Sequence, residues 1–227
     1  MAQTSTYPIQ CPECKSQQDE VLYDSLDVGK EPDLRKRLIE NRLNRVKCNA
    51  CSYEFYVDKN VLYNDSKEGW MIFLNPHPLD KSKDAINEFD KVLKDMKDLL
   101  PSDEKMPEVD LVLSRIELVE RIFVREANLD PRVIEYVKYL IYTQNLDKFM
   151  PEGYALLLNG QECDQENLCF VLQDVETKKL ESLLHYKRET YESLVDLLAQ
   201  DGELSLVNQL FPGPYSSARS YLIQDEI

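Results

Sequence analysis

Cys11-Pro12-Glu13-Cys14 and Cys48-Asn49-Ala50-Cys51 decide the reading of this 227-residue chain. Each is a C-x-x-C pair, a spacing at which one tight turn aims two sulfurs at a common point. Two such pairs make a closed tetrahedral site with zinc–sulfur distances of about 2.3 Å. The 33 residues between them, Lys15 to Lys47, exceed the roughly 15–20 of the compact pattern and predict an excursion that folds back. Pro12 presets its φ and has no N–H, which suits a turn whose later amides face the first sulfur. Lys15 and Ser52 follow the pairs where glycine is usual, so a positive φ there would carry a steric cost. Inert thiols and a redox-active Cys-Pro-x-Cys are the competing readings. The redox reading needs the first cysteine at a helix N-terminus, whereas strand-like segments flank both pairs. With Cys11, Cys14, Cys48 and Cys51 as ligands, one structural Zn2+ is expected and no coordination position stays open for catalysis.

Around the pairs, Val21–Tyr23, Arg45–Lys47, Glu54–Val57 and Trp70–Leu74 read as short strands. A helix of about three turns starts at Pro32 and uses Leu34, Leu38 and Leu43. Asn75-Pro76-His77-Pro78 breaks regular structure. The expected division is a zinc ribbon-like β module with a helical insertion over 1–75, a linker and connecting helix over 76–107, and an acidic α+β domain over 108–227. The connecting helix carries Ile86, Phe89, Leu93, Met96 and Leu100 on one face after Ser82 and ends at Pro101. Beyond it come a strand at Val109–Leu113, a helix through Ile116, Val119, Ile122 and Phe123, and a helix capped by Asp130-Pro131. A hairpin of Tyr154–Leu158 with Leu168–Leu172, a helix from Tyr191 to near Gly202, and a terminal strand at Tyr221–Ile223 complete the expectation.

The chain carries 27 Lys/Arg against 42 Asp/Glu, a net charge of −15, which repels polyanions such as nucleic acid and anionic membrane. No stretch approaches the roughly 20 apolar residues of a membrane span, and the N-terminus lacks the pattern of a secretion signal. A reducing, cytoplasmic setting is therefore expected, in which six cysteines favour metal over disulfides.

The run from Pro8-Ile9-Gln10-Cys11-Pro12-Glu13-Cys14 through Leu26, Glu31-Pro32-Asp33-Leu34-Arg35 and Cys48-Asn49-Ala50-Cys51 to Leu62-Tyr63-Asn64-Asp65 resembles the CpXC domain family of bacteria and archaea. Leu129-Asp130-Pro131-Arg132-Val133-Ile134-Glu135 is similar to a downstream stretch of the same proteins. The family is named for two C-P-x-C motifs, and Asn49 departs from the second. The resemblance implies the same four metal ligands and assigns no activity.

Arg35, Lys36, Arg37, Arg42, Arg45 and Lys47 cluster around the inserted helix, as on zinc ribbons that bind nucleic acid. Glu31 with Arg35 and Asp33 with Arg37 make the plainer reading a solvated helix. Cys163, Cys169 and His185 form a loose second metal candidate against a plainer reading as buried thiols. His77 reads as an exposed linker residue, and Tyr136, Tyr139 and Tyr142 as the edge of a core face or a partner-binding stripe. No phosphate loop, nucleophile elbow or metalloprotease helix is present in the sequence. The expected function is a zinc-stabilised binding or adaptor module facing a protein partner, with nucleic-acid binding through the basic helix as the alternative. Enzymatic activity stays open and is the less favoured class.

Overall fold

The computed structural model describes residues 2–99, 107–200 and 204–224. The chain divides into two units, Met1–Arg115 and Ile116–Ile227, each α+β with open sheets. The expected ends of two helices, at Pro101 and near Gly202, lie outside the described residues.

In the first unit, β1 (Gln3–Gln10) and β2 (Gln17–Asp27) form a long antiparallel hairpin whose turn holds the first cysteine pair. β5 (Val61–Asp65) runs parallel to β2, β6 (Trp70–Leu74) antiparallel to β5, and β7 (Glu108–Val112) parallel to β6. The sheet order is β1-β2-β5-β6-β7. Between β2 and β5 the chain inserts α1 (Pro32–Ile39) and a short hairpin of β3 (Arg45–Lys47) and β4 (Glu54–Tyr56), whose turn holds the second pair. Leu26, Leu38, Tyr63, Ile72 and Leu111 are buried in this unit, and Phe89 of α2 (Ser82–Leu99) stacks on Phe73 at 5.7 Å.

Three expectations change here. The second unit starts at Ile116 and not at 108, because β7 completes the first sheet. Arg115 anchors to the same unit: its guanidinium donates to Leu38 O at 2.6 Å and to Asn41 Oδ1 at 3.0 Å, capping the carbonyl end of α1, and lies over the Tyr56 ring. The α1 helix is also shorter than three turns, with Leu43 buried in the loop beyond it. His77 is not an exposed linker residue, since its amide donates to Leu113 O and its ring is half-buried near Glu88.

The second unit contains α3 (Arg115–Glu126, entered from the first unit's last residue), α4 (Pro131–Thr143), β8 (Tyr154–Leu158), β9 (Asn167–Asp174), β10 (Leu180–Lys187), α5 (Arg188–Gln200), α6 (Leu204–Leu210) and α7 (Ala218–Gln224). The strands form one antiparallel sheet, β10-β9-β8. Asp130 caps α4 by accepting from the amides of Arg132 and Val133. Tyr142 is fully buried, while Tyr136 and Tyr139 stack on each other at the edge of the core. The terminal segment is helix α7 and not a strand: Ser217 Oγ accepts from the Ser220 amide, and Glu135 accepts from the Ala218 amide.

The register leaves main-chain groups on one edge of this sheet without a partner strand among the described residues. The Asn159 amide donates to Cys169 O, so along β8 the residues Tyr154, Leu156 and Leu158 turn their amides and carbonyls outward. The Tyr142 hydroxyl accepts from Leu156 N at 2.8 Å and donates to Tyr154 O at 3.0 Å, and Glu120 accepts from Leu158 N. Glu120 and Glu135 also flank the ammonium of Lys138 at 2.6 and 2.8 Å, all three buried. Burial alone would lower the Lys138 pKa, but the charges of the two carboxylates outweigh it and hold the ammonium above its ordinary value. Desolvation raises Glu120 above the usual carboxylate range.

Candidate metal centre

The two cysteine pairs occupy turns of the same construction. In the first, Cys11 N donates to Ser16 O and Lys15 N to Cys11 O; in the second, Cys48 N donates to Tyr53 O and Ser52 N to Cys48 O. Each turn closes through a residue in the left-handed region, Lys15 at φ 62° and Ser52 at φ 61°. The steric cost expected from the missing glycines is therefore present in the fold.

Side chains on β2 hold the second turn against the first. Gln18 Oε1 accepts from Asn49 N at 2.8 Å, and its Nε2 donates to Lys47 O at 3.0 Å. Asn44, at φ 53°, bonds both main-chain groups of Tyr23, with its Oδ1 accepting at 2.8 Å and its Nδ2 donating at 3.0 Å. The substitution of Asn49 for proline thus has a local use, since proline could not make the bond to Gln18.

These contacts bring the four sulfurs within 4.8 Å of one another. Cys11 Sγ lies 3.7 Å from Cys51 Sγ, and Cys14 Sγ lies 3.6 Å from Cys48 Sγ. A tetrahedron with metal–sulfur bonds of about 2.3 Å has edges of about 3.8 Å, so the spacing fits a soft tetrahedral ion. Cys11 and Cys48 are buried; Cys14 and Cys51 are exposed. The Ser16 hydroxyl, and next the Cys51 amide, draw the Cys48 thiol down to about 6, and Ser16 lowers Cys14 as well. Cys51 moves up to about 12: the Tyr53 amide favours its thiolate, but desolvation and the sulfurs of Cys14, Cys48 and Cys11 outweigh it. The opposed shifts of Cys48 and Cys51 express the crowding of neighbouring sulfurs, which a cation among them would relieve. The donor set and its geometry can hold a metal ion, with Cys11, Cys14, Cys48 and Cys51 as its ligands.

Cys163, Cys169 and His185 do not come together as a metal-ligating group among the described residues. The Cys163 sulfur instead accepts from the Cys169 amide at 3.2 Å, Cys169 is buried and His185 is exposed. The basic cluster around α1 is largely spent within its own unit. Arg37 donates to the Tyr23 hydroxyl, Arg45 pairs with Glu54 at 2.7 Å, and both Lys36 and Arg42 reach Glu40. Sequence reasoning missed Ser16, Gln18 and Asn44. Ser16 was the most accessible of them, because it lies two residues past Cys14, where a knuckle turns back over its own sulfurs.

No helix among the described residues is long and apolar enough to cross a membrane. Comparison with curated proteins and with solved structures finds no match. A family model described as "CpXC protein" matches residues 9–138, which span both cysteine turns, the first sheet from the end of β1 to β7, and the Leu129–Glu135 stretch. This chain belongs to the CpXC family.

Proposed function

We propose that the four thiolates bind one zinc ion whose task is to fold the first unit, and that the protein works in the cytoplasm by binding a protein partner. The observation that carries the metal assignment is the near-tetrahedral set of sulfurs at the tips of two hairpins. Zinc is the divalent ion that an all-thiolate tetrahedral site most commonly takes. Four protein ligands fill the coordination sphere, which supports a structural ion over a catalytic one. A protein partner is favoured over nucleic acid by charge: the second unit carries 10 Lys/Arg against 20 Asp/Glu, and the arginines around α1 already have partners.

Elemental analysis of the purified chain tests the metal, with one zinc per chain expected in the parent and none in Cys11→Ser or Cys48→Ser. A metal-free parent with a titratable dithiol would refute the assignment. Salt titration tests the class of partner. Nucleic-acid binding that weakens steeply with salt and is lost in Arg35→Glu and Arg37→Glu would replace the adaptor reading.

A further inference from the structure

We propose that Ser16 is a positioning residue of the metal centre, whose hydroxyl donates to the metal-bound thiolates of Cys14 and Cys48 and so sets how tightly the ion is held. This rests on the metal-binding reading above. Ser16 Oγ lies 3.1 Å from Cys14 Sγ and 3.2 Å from Cys48 Sγ. One side chain therefore touches a sulfur from each cysteine turn. In the second turn the equivalent main-chain position is Tyr53, which accepts from the Cys48 amide as Ser16 accepts from that of Cys11. A tyrosine there offers no hydroxyl on its Cβ, so the bridge is not a general by-product of the turn.

The chemistry follows from the donor inventory. A hydroxyl has one proton, and a thiolate only accepts, so metal binding turns both neighbouring sulfurs into acceptors and makes Ser16 the donor, its single proton shared between the two sulfurs. Donation withdraws charge from sulfurs that crowd one another and fixes their orientation toward the ion. The same bond ties the β1–β2 turn to the β3–β4 turn across the site. The main chain at Ser16 is held separately, by the Cys11 amide on Ser16 O and by the left-handed Lys15, so losing the hydroxyl leaves the turn itself in place.

The test uses the full chain as parent, Ser16→Ala and Ser16→Thr. Zinc affinity is read by competition with a chromophoric chelator, and cobalt(II) serves as a spectroscopic probe of the sulfurs. Ser16→Ala is expected to weaken zinc binding about tenfold and to shift the sulfur-to-cobalt charge-transfer band to lower energy, while Ser16→Thr stays within about threefold of the parent. Equal affinities and an unchanged band in Ser16→Ala would overturn the inference and leave the metal site standing. A lower melting temperature in metal-free Ser16→Ala with affinity and band unmoved would reduce Ser16 to a packing role and overturn it too. A parent that takes up neither zinc nor cobalt brings down both the inference and the reading beneath it.

Discussion

Single residues carry much of the construction of the cysteine turns. Lys15 and Ser52 sit at positive φ although neither is glycine. Ser52→Gly is expected to stabilise the protein by about 0.5–1 kcal/mol, because relief of the Cβ clash exceeds the added freedom of the unfolded chain; denaturant unfolding checks it. Lys15 is a poorer test, since its ammonium donates to Pro12 O at 2.7 Å and would be lost with the substitution. Asp24 is another residue-scale case. Burial alone would raise its pKa, but hydrogen bonds from Lys59, Ser5 and Tyr7 bring it down to about 2. Its unfolded value is about 4, so its contribution is fully present above pH 4 and is lost as the pH falls from about 4 to 2. The side chain is 27% exposed, so solvent screening limits this contribution to about 1–2 kcal/mol. Stability measured against pH should show this acid loss in the parent and a smaller one in Lys59→Met.

At the scale of elements, the second unit's sheet depends on side chains to finish one of its strands. Tyr142→Phe removes the hydroxyl that serves Leu156 N and Tyr154 O and leaves the buried Leu156 amide and the half-buried Tyr154 carbonyl without that partner. A loss of about 1–3 kcal/mol is expected, with faster amide exchange along β8. None of this was legible in the sequence, where Tyr142 reads only as one apolar-face tyrosine among three. What was legible followed periodicity or a strong cap. Trp70–Leu74, Arg45–Lys47, the Ser82 helix and the Asp130-Pro131 helix all occur where the pattern places them. β1 escaped because Gln3–Gln10 is almost wholly polar and exposed and contains Pro8, which marks an edge strand and not an interior one. β10 escaped for the same reason of exposure, and α7 because Tyr221-Leu222-Ile223 is too short for either period to declare itself. The clustering of Cys11, Cys14, Cys48 and Cys51 was readable from spacing alone. Its supports Gln18 and Asn44 were not, because each acts on a partner more than 20 residues away that only the fold brings near, whereas Ser16 lies two residues past Cys14.

Over the whole molecule the two units have separate cores and separate polar anchors. The cysteine cluster belongs to the first, and the buried Glu120–Lys138–Glu135 group to the second. Removing the metal with a chelator is therefore expected to raise hydrogen exchange in peptides from residues 1–115, most of all around the two turns, and to leave the cores of α4 and β9 protected. Loss of protection throughout would mean that the second unit depends on the first.

The parallel pairing of β6 with β7 has a consequence in time. During synthesis the chain emerges N-terminus first. All four sulfurs exist once residue 51 has been added, yet the last strand of their sheet is complete only at Val112. A nascent chain could thus gather its four sulfurs around a metal ion while Ile72, Phe73 and Leu74 of β6 still await their neighbour strand. An ion held by these sulfurs would be an early fastening, tying the β1–β2 and β3–β4 turns together before the strand that completes the sheet arrives.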